Sequence, residues 1–397
     1  MEPADPADPG LDPGLIVHVF ATAKGPAAGE HERRLRDIWS ALGDRFDMRV
    51  RRNGRIEVRT APGEPLRQAV LRVEGDVRCL SVALTGGNWK ELDRLWRECA
   101  GDAGAWAMGE CRLFVAYPRT TPTARRTGAV LAALPEPYER SRMITVRGVA
   151  MWEVGVEDDE RSRRTFAMLA PRELEAKLDA WAWTRGDDRM PPLARHLMHA
   201  AKLRYELRVY RHGEDFRAAR HRVDEQVAAL LRSLGDDGLP DARRELATRQ
   251  IAEAGLIWSL TRLRELRKTA EIARHNMRER NLADDLDLAD WFRLRLDDDL
   301  AYAEATRERA REIGTIADQV IAERLQRRAE ETARRWERFR VLETAVVGTL
   351  LMMLAAIQAL GYRVPVPEHV KPYVVAVLGL TAFTLAAFGL VRWRRNR

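Results

Sequence analysis

Leu15-Ile16-Val17-His18-Val19-Phe20-Ala21 is a continuous apolar run, the form a β-strand takes when both of its faces are covered. After a Gly/Pro loop, the spacing of Leu35, Ile38, Trp39, Leu42 and Phe46 predicts a helix from about Glu30 to Phe46 with those side chains along one side. Met48 to Arg59 alternates around Asn53-Gly54, the strongest short hairpin signal, with Val50 before the turn and Ile56 and Val58 after it. Asp76 to Thr85 reads as another strand. Asn88 then caps a short helix carrying Leu92, Leu95 and Trp96, and Cys111 to Tyr117 returns as a strand. This order predicts a ferredoxin-like core in an α/β domain over residues 15–190. Met143 to Val156 and Arg164 to Leu169 read as a hairpin added at its edge, with Pro171 opening the next helix. Residues 1–14 hold four prolines and neither an apolar nor a basic signal region, so they read as a disordered leader.

From Leu193 the pattern changes to long charged helices, a stalk module over 191–340. Leu193 to Leu234 and Asp241 to Asn281 are separated by the breaker Gly235-Asp236-Asp237-Gly238-Leu239-Pro240. A third helix, from about Asp290, has no interruption before the apolar end of the chain. Some seventy residues at about 1.5 Å each would make a rod on the order of 100 Å. Its stripe, including Leu300, Ala303, Ala310, Ile313, Ala317, Ile321 and Leu325, is thin, which fits coiled-coil-like packing better than a deep core.

Two apolar runs, Thr344 to Leu360 and Tyr373 to Val391, flank a short segment at 361–369. Each is near the roughly 17 to 25 residues needed to cross a hydrocarbon core, and predicts a two-helix transmembrane hairpin over 341–391 followed by a basic cytoplasmic tail, 392–397. The fold class expected is therefore α+β: a ferredoxin-like α/β domain, a long helical coiled-coil-like module and a C-terminal membrane hairpin. The chain's 67 Lys+Arg against 60 Asp+Glu give +7. Thirteen basic and five acidic residues fall in 324–397, so this end carries about +8 and the remainder is close to neutral. Positive charge flanking both runs places both termini in the cytoplasm of a multi-pass inner-membrane protein, with anionic inner-leaflet lipid as partner and no nucleic acid.

Within the runs, Ala345, Gly348, Met352, Ala355 and Ala359, and Ala376, Gly379, Ala382, Ala386 and Gly389, form two stripes of mostly small residues suited to close helix packing. Thr344 and Gln358 lie on a second face, where Gln358 would line a pore or bond a neighbour. Glu343 beside Arg340 reads as an interfacial ion pair or, in a homo-oligomer, an acidic ring. Elsewhere the signals are plain. His196 and His199 sit at i, i+3 on a helix, but with no third ligand in view they read as solvated or interfacial. Gly86-Gly87-Asn88 lacks a phosphate-loop lysine and reads as a turn and cap, and Trp181 and Trp183 read as core. Cys79, Cys99 and Cys111 have no metal or redox spacing. No nucleophile elbow, zinc motif, kinase set or dinucleotide fingerprint occurs. No catalytic, cofactor or metal residues are assigned, and a non-enzyme is expected.

The layout of cytoplasmic α/β domain, stalk and two runs is similar to that of CorA-type magnesium channels. The place of their Gly-Met-Asn signature reads Gly361-Tyr362-Arg363 here, where an arginine would repel the cation. The opening strand Leu15 to Ala21, the Leu35-Arg36-Asp37-Ile38-Trp39 helix, the Gly87-Asn88-Trp89-Lys90-Glu91-Leu92 segment and the two-run end together resemble the CATRA family, the caspase and TPR-repeat associated proteins of bacterial conflict systems. The resemblance implies a role beside a caspase-like protease and TPR or NTPase proteins in anti-phage defence, either as a membrane effector or as a tethered scaffold. A divalent-cation transporter is the third expectation.

Overall fold

The computed structural model describes residues 12–53, 56–118, 128, 131–135, 143–155, 158–184, 188–279, 282–361 and scattered positions beyond. The chain divides into two compact units, residues 1–225 with 248–308, and residues 226–247 with 309–397.

The first unit is built on one nine-stranded sheet of order β2-β3-β4-β5-β1-β6-β9-β8-β7. Its strands are β1 (Pro13–Thr22), β2 (Arg49–Asn53), β3 (Ile56–Thr60), β4 (Arg67–Glu74), β5 (Val77–Thr85), β6 (Gly109–Ala116), β7 (Ile144–Val146), β8 (Val149–Val154) and β9 (Arg163–Leu169). With the two crossover helices α1 (Ala28–Phe46) and α2 (Trp89–Ala100), the central order β4-β5-β1-β6 is the split βαβ arrangement. β1 lies antiparallel to both β5 and β6, and β9 adds in parallel to β6. Leu15, Val17, Val19 and Ala21 of β1 face Leu35, Leu42, Leu92 and Trp96 of α1 and α2. Ile16 and Phe20 face the other layer, with Leu178 and Trp181 of α3 (Glu175–Ala182) and Leu193 and Leu197 of α4 (Pro192–Tyr210). Two buried faces are why this strand is apolar at almost every position.

His18, the polar residue in the middle of β1, is bonded on both ring nitrogens. Ser81 Oγ lies 2.8 Å from Nδ1, and Nε2 is 3.1 Å from the Ala182 carbonyl. The carbonyl can only accept, so Nε2 carries the proton. Burial pushes the His18 pKa down to about 4, against the opposing pull of the Ala182 bond.

The two long helices expected over 193–281 are four. α4 ends at Arg211-His212-Gly213, where φ is 48°, 53° and 76°, before α5 (Glu214–Arg232). α6 (Leu239–Ile251) and α7 (Leu256–Asn276) are split at Ala254, with φ of 58°, and Gly255. A Cβ on Gly213 would sit 2.6 Å from Tyr210 Oη and 2.8 Å from Asp299 Oδ2, so the reversal and its close neighbours both require glycine. The final long helix, α8, runs from Ala283 to Gly361.

In the second unit, Arg243 donates to both oxygens of Asp318 at 3.0 Å, crossing α8 where Gly314 leaves room for the guanidinium. Arg324 donates to the Leu234 and Asp236 carbonyls, each at 2.6 Å, and Arg328 to Asp237 at 3.0 Å. These two arginines, counted by sequence as a membrane flank, hold the ends of a turn.

The membrane hairpin is corrected by the structure. Among the described residues no helix is long and apolar enough to cross a membrane. The fold is mixed α/β with a nine-stranded sheet and long helices, and the multi-pass inner-membrane placement that rested on the hairpin falls with it.

Candidate functional site

The chemistry concentrated in the first unit is a buried ion cluster where the sheet meets the helices. Three elements supply it because each carries one charge on an otherwise apolar face. β9 presents Arg164 beside Phe166, α4 presents His196 and Arg204 two turns apart among leucines and alanines, and α8 presents Asp285 in its first turn. All four side chains are buried. Asp285 Oδ2 accepts from Arg164 Nη1 at 2.9 Å and from His196 Nε2 at 3.1 Å, while Oδ1 lies 2.7 Å from Arg204 Nη1. That last approach is a charge contact whose angles miss a hydrogen bond, leaving Arg204 Nε and Nη1 without acceptors among the described residues. The Glu279 backbone N–H donates to His196 Nδ1 at 3.3 Å, so the ring proton sits on Nε2.

Behind Asp285 stands a second carboxylate. Glu153 of β8 takes Arg164 as a fork, at 2.7 and 2.8 Å, and accepts from Arg161 at 2.9 Å. Arg164 also lies over the Phe166 ring at 4.9 Å. Burial raises the Asp285 carboxyl, but Arg164 and Arg204 override it and hold the group well below the usual carboxylate range. Burial likewise opposes the Arg164 charge, and Asp285 with Glu153 more than restores it. The cluster therefore stays ionised while sealed from water, which makes it costly to break.

A companion network pins α2 to the sheet. Glu110, wholly buried on β6, accepts from Trp96 Nε1 at 2.7 Å, Arg112 Nε at 2.8 Å and Arg163 Nε at 3.0 Å. Arg112 Nη1 then reaches Asp93 of α2 at 2.9 Å. On the helical side, Tyr210 donates to Asp299, and Arg295 reaches the same hydroxyl at 3.2 Å.

The histidine pair expected to be solvated or interfacial is not solvated, His196 being buried. His196 lies at the interface, with Asp285 as the carboxylate the sequence could not place, and the two arginines occupy the positions a cation would need. His199, partly buried, has its pKa pushed down to about 4 by burial, then by Lys202 and Arg195. Among the described residues no group of His, Cys, Asp and Glu is placed to hold a metal. Gly86 has φ of 83°, and Asn88 and Glu91 close a reciprocal cap at 3.0 and 3.1 Å that takes the backbone N–H groups of those two residues. Trp181 and Trp183 are buried in the sheet-to-helix core, as are Cys79 and Cys111.

The residues proposed for a pore or for helix packing that the structure describes are Glu343, Thr344, Gly348, Gln358 and Gly379. Glu343 and Gln358 are exposed, and Thr344 is exposed with its hydroxyl donating to the Arg340 carbonyl at 2.8 Å. Gly348 faces open space, whereas a Cβ on Gly379 would strike the Met353 side chain. Gly389, the 392–397 tail, most of the leader and Gly54 of the expected turn lie outside the described residues.

The CASPASE and TPR Repeat-Associated N-terminal domain family model matches residues 14–186, and the corresponding C-terminal domain matches 191–310. No curated protein matches the chain. Among solved structures, the CorA magnesium transporter from Methanocaldococcus jannaschii is 8% identical over 70% of this chain and 89% of its own, with a TM-score of 0.25. The full-length CmaX protein is 16% identical over 71% and 89%, with a TM-score of 0.17. Likenesses this weak carry no argument about fold or transport. The two adjoining family matches do, and the Asp285 cluster binds side chains from one to side chains from the other: the chain belongs to the CATRA family, the caspase and TPR repeat-associated proteins.

Proposed function

We propose that this chain is a non-enzymatic adaptor of a bacterial conflict system, a scaffold on which caspase-like and TPR-containing proteins assemble. The observation that carries this reading is the pair of family matches over residues 14–186 and 191–310, whose name couples the domains to those two partner classes. The internal chemistry supports it. The buried charged groups of the Asp285 and Glu110 networks are paired with one another, and they hold sheet and helices of the first unit as a single rigid surface. Rigidity of that kind suits partner docking, because little ordering cost is left to meet on binding.

Self-association through residues 309–361 is part of the proposal. Trp336 and Phe339 on α8 are 67% and 69% exposed, and a second copy would cover them. The test is co-purification of the tagged full chain with caspase-like and TPR proteins encoded beside it, together with phage challenge of cells carrying or lacking it. Stable complexes and loss of protection on deletion are expected. Unchanged protection and no captured partner of either class would sink the reading.

A further inference from the structure

β2 is an end strand of the sheet. Its register with β3 runs Arg49 to Thr60, Val50 to Arg59 and Arg51 to Val58, and no described strand lies on its other side. In an antiparallel ladder, backbone groups of an end strand alternate between facing the partner and facing outward, so β2 carries N–H and C=O groups that no described strand takes. Its side chains alternate as well: Arg49 and Arg51 project to one face and Val50 to the other. All three are exposed, Val50 at 51%.

The neighbouring strand gives these arginines no acid. Their cross-strand partners are Thr60 and Val58, and Glu57 on the opposite face is already forked to Arg36 at 2.8 and 2.9 Å. The other end of the sheet is built differently. β7 has only three residues, Ile144–Val146, with Val146 buried, and so short a strand offers little to pair with. Arginines on an edge deter pairing between identical edges, since like charges directly opposite repel. With an outward valine between them they also specify what is admitted: a strand with acids opposite Arg49 and Arg51 and an apolar residue opposite Val50.

We propose that β2 is a docking site for an extended acidic segment of a protein partner, with acid-apolar-acid alternation, which joins the sheet as a further strand beyond β2. Main-chain hydrogen bonds supply the binding, and the arginine-carboxylate pairs supply selectivity and salt sensitivity. The identity of the partner rests on the adaptor reading; the docking chemistry does not. A second copy presenting the same strand is disfavoured by the charge it would bring against itself.

The test uses the full chain and a fluorescein-labelled peptide with Glu-Val-Glu-Val-Glu at its centre, beside the Lys-Val-Lys-Val-Lys counterpart. The acidic peptide is expected to slow amide exchange within residues 49–52 and to bind at least about tenfold more tightly than the basic one at low salt. Arg49→Glu with Arg51→Glu should invert that preference with an unchanged thermal midpoint, and Arg49→Lys with Arg51→Lys should keep it. Unaltered exchange at 49–52 while the acidic peptide is bound, or acidic preference surviving the charge reversal, overturns the site. Co-purification of a caspase-like or TPR protein that persists in the charge-reversed chain overturns β2 as that partner's site while leaving the adaptor reading intact. Failure to co-purify either partner with the unaltered chain, while the peptide still protects 49–52, counts against the adaptor reading and supports the site.

Discussion

Arg164 and Asp285, 121 residues apart in the chain, meet at 2.9 Å with both side chains sealed from solvent. The pair links a strand of the sheet to the first turn of the last long helix, and Arg204 and His196 close on the same carboxylate from a third element. Removing Asp285 would leave two buried guanidiniums facing each other. Asp285→Asn is expected to lower stability by about 3 to 5 kcal/mol, read by urea denaturation. A change below about 1 kcal/mol would mean that water already reaches the cluster.

Acid should weaken the fold before the carboxylates titrate. His18 and His199 are both depressed to about 4 in the folded chain, against about 6.5 when unfolded. Between those values the unfolded chain takes up protons the folded one refuses. Stability present above pH 6.5 is therefore lost as the pH falls toward 4, at up to about 1.4 kcal/mol per unit for each histidine. Urea midpoints at pH 7.5, 6 and 5 measure it. A flat profile over that range would show that the rings are not buried as described.

Gly213 tolerates no side chain. Its φ of 76° and its closeness to Tyr210 Oη and Asp299 Oδ2 act together, so Gly213→Ala both strains the backbone and wedges the hydroxyl off its carboxylate. The expected loss is about 2 kcal/mol, several times that of Gly238→Ala, whose added methyl meets nothing within 4 Å. Equal thermal midpoints for the two variants would contradict the geometry.

The three thiols should separate kinetically. Burial pushes Cys79 up to about 11 and Cys111 up to about 12, whereas Cys99 is half-buried on α2. A disulfide exchange reagent at pH 8 should modify Cys99 in the native chain and all three only in denaturant. Prompt native modification of Cys111 would mean that the sheet-to-helix core opens readily.

Periodicity made much of the sheet legible. β1, α1, α2 and β6 each show one clean pattern, and Asn88 announces its helix because a reciprocal cap needs that side chain there. β4 was harder to read, since Arg72 is buried on it and its bond to the Asp188 carbonyl comes from 116 residues away. The two helix breaks at Arg211-His212-Gly213 and Ala254-Gly255 were signalled only by single glycines inside strongly helical surroundings. The ion cluster was invisible for a physical reason. Arg164, Arg204 and Asp285 each look like an ordinary surface charge until the fold brings them together, and His196 looked unliganded for want of that one carboxylate. At the other end, hydropathy alone suggested a membrane, and it could not register that Arg324 and Arg328 were occupied by the turn at 234–237.

The central position of β1 sets a constraint on how the chain is made. Leu15 must find Leu84 on one side and Phe114 on the other, so the most apolar strand is synthesised well before either neighbour exists. Until ribosomal elongation passes β6 one of its edges stays uncovered and adhesive, and slowed translation between β1 and β6 should lower the yield of intact protein.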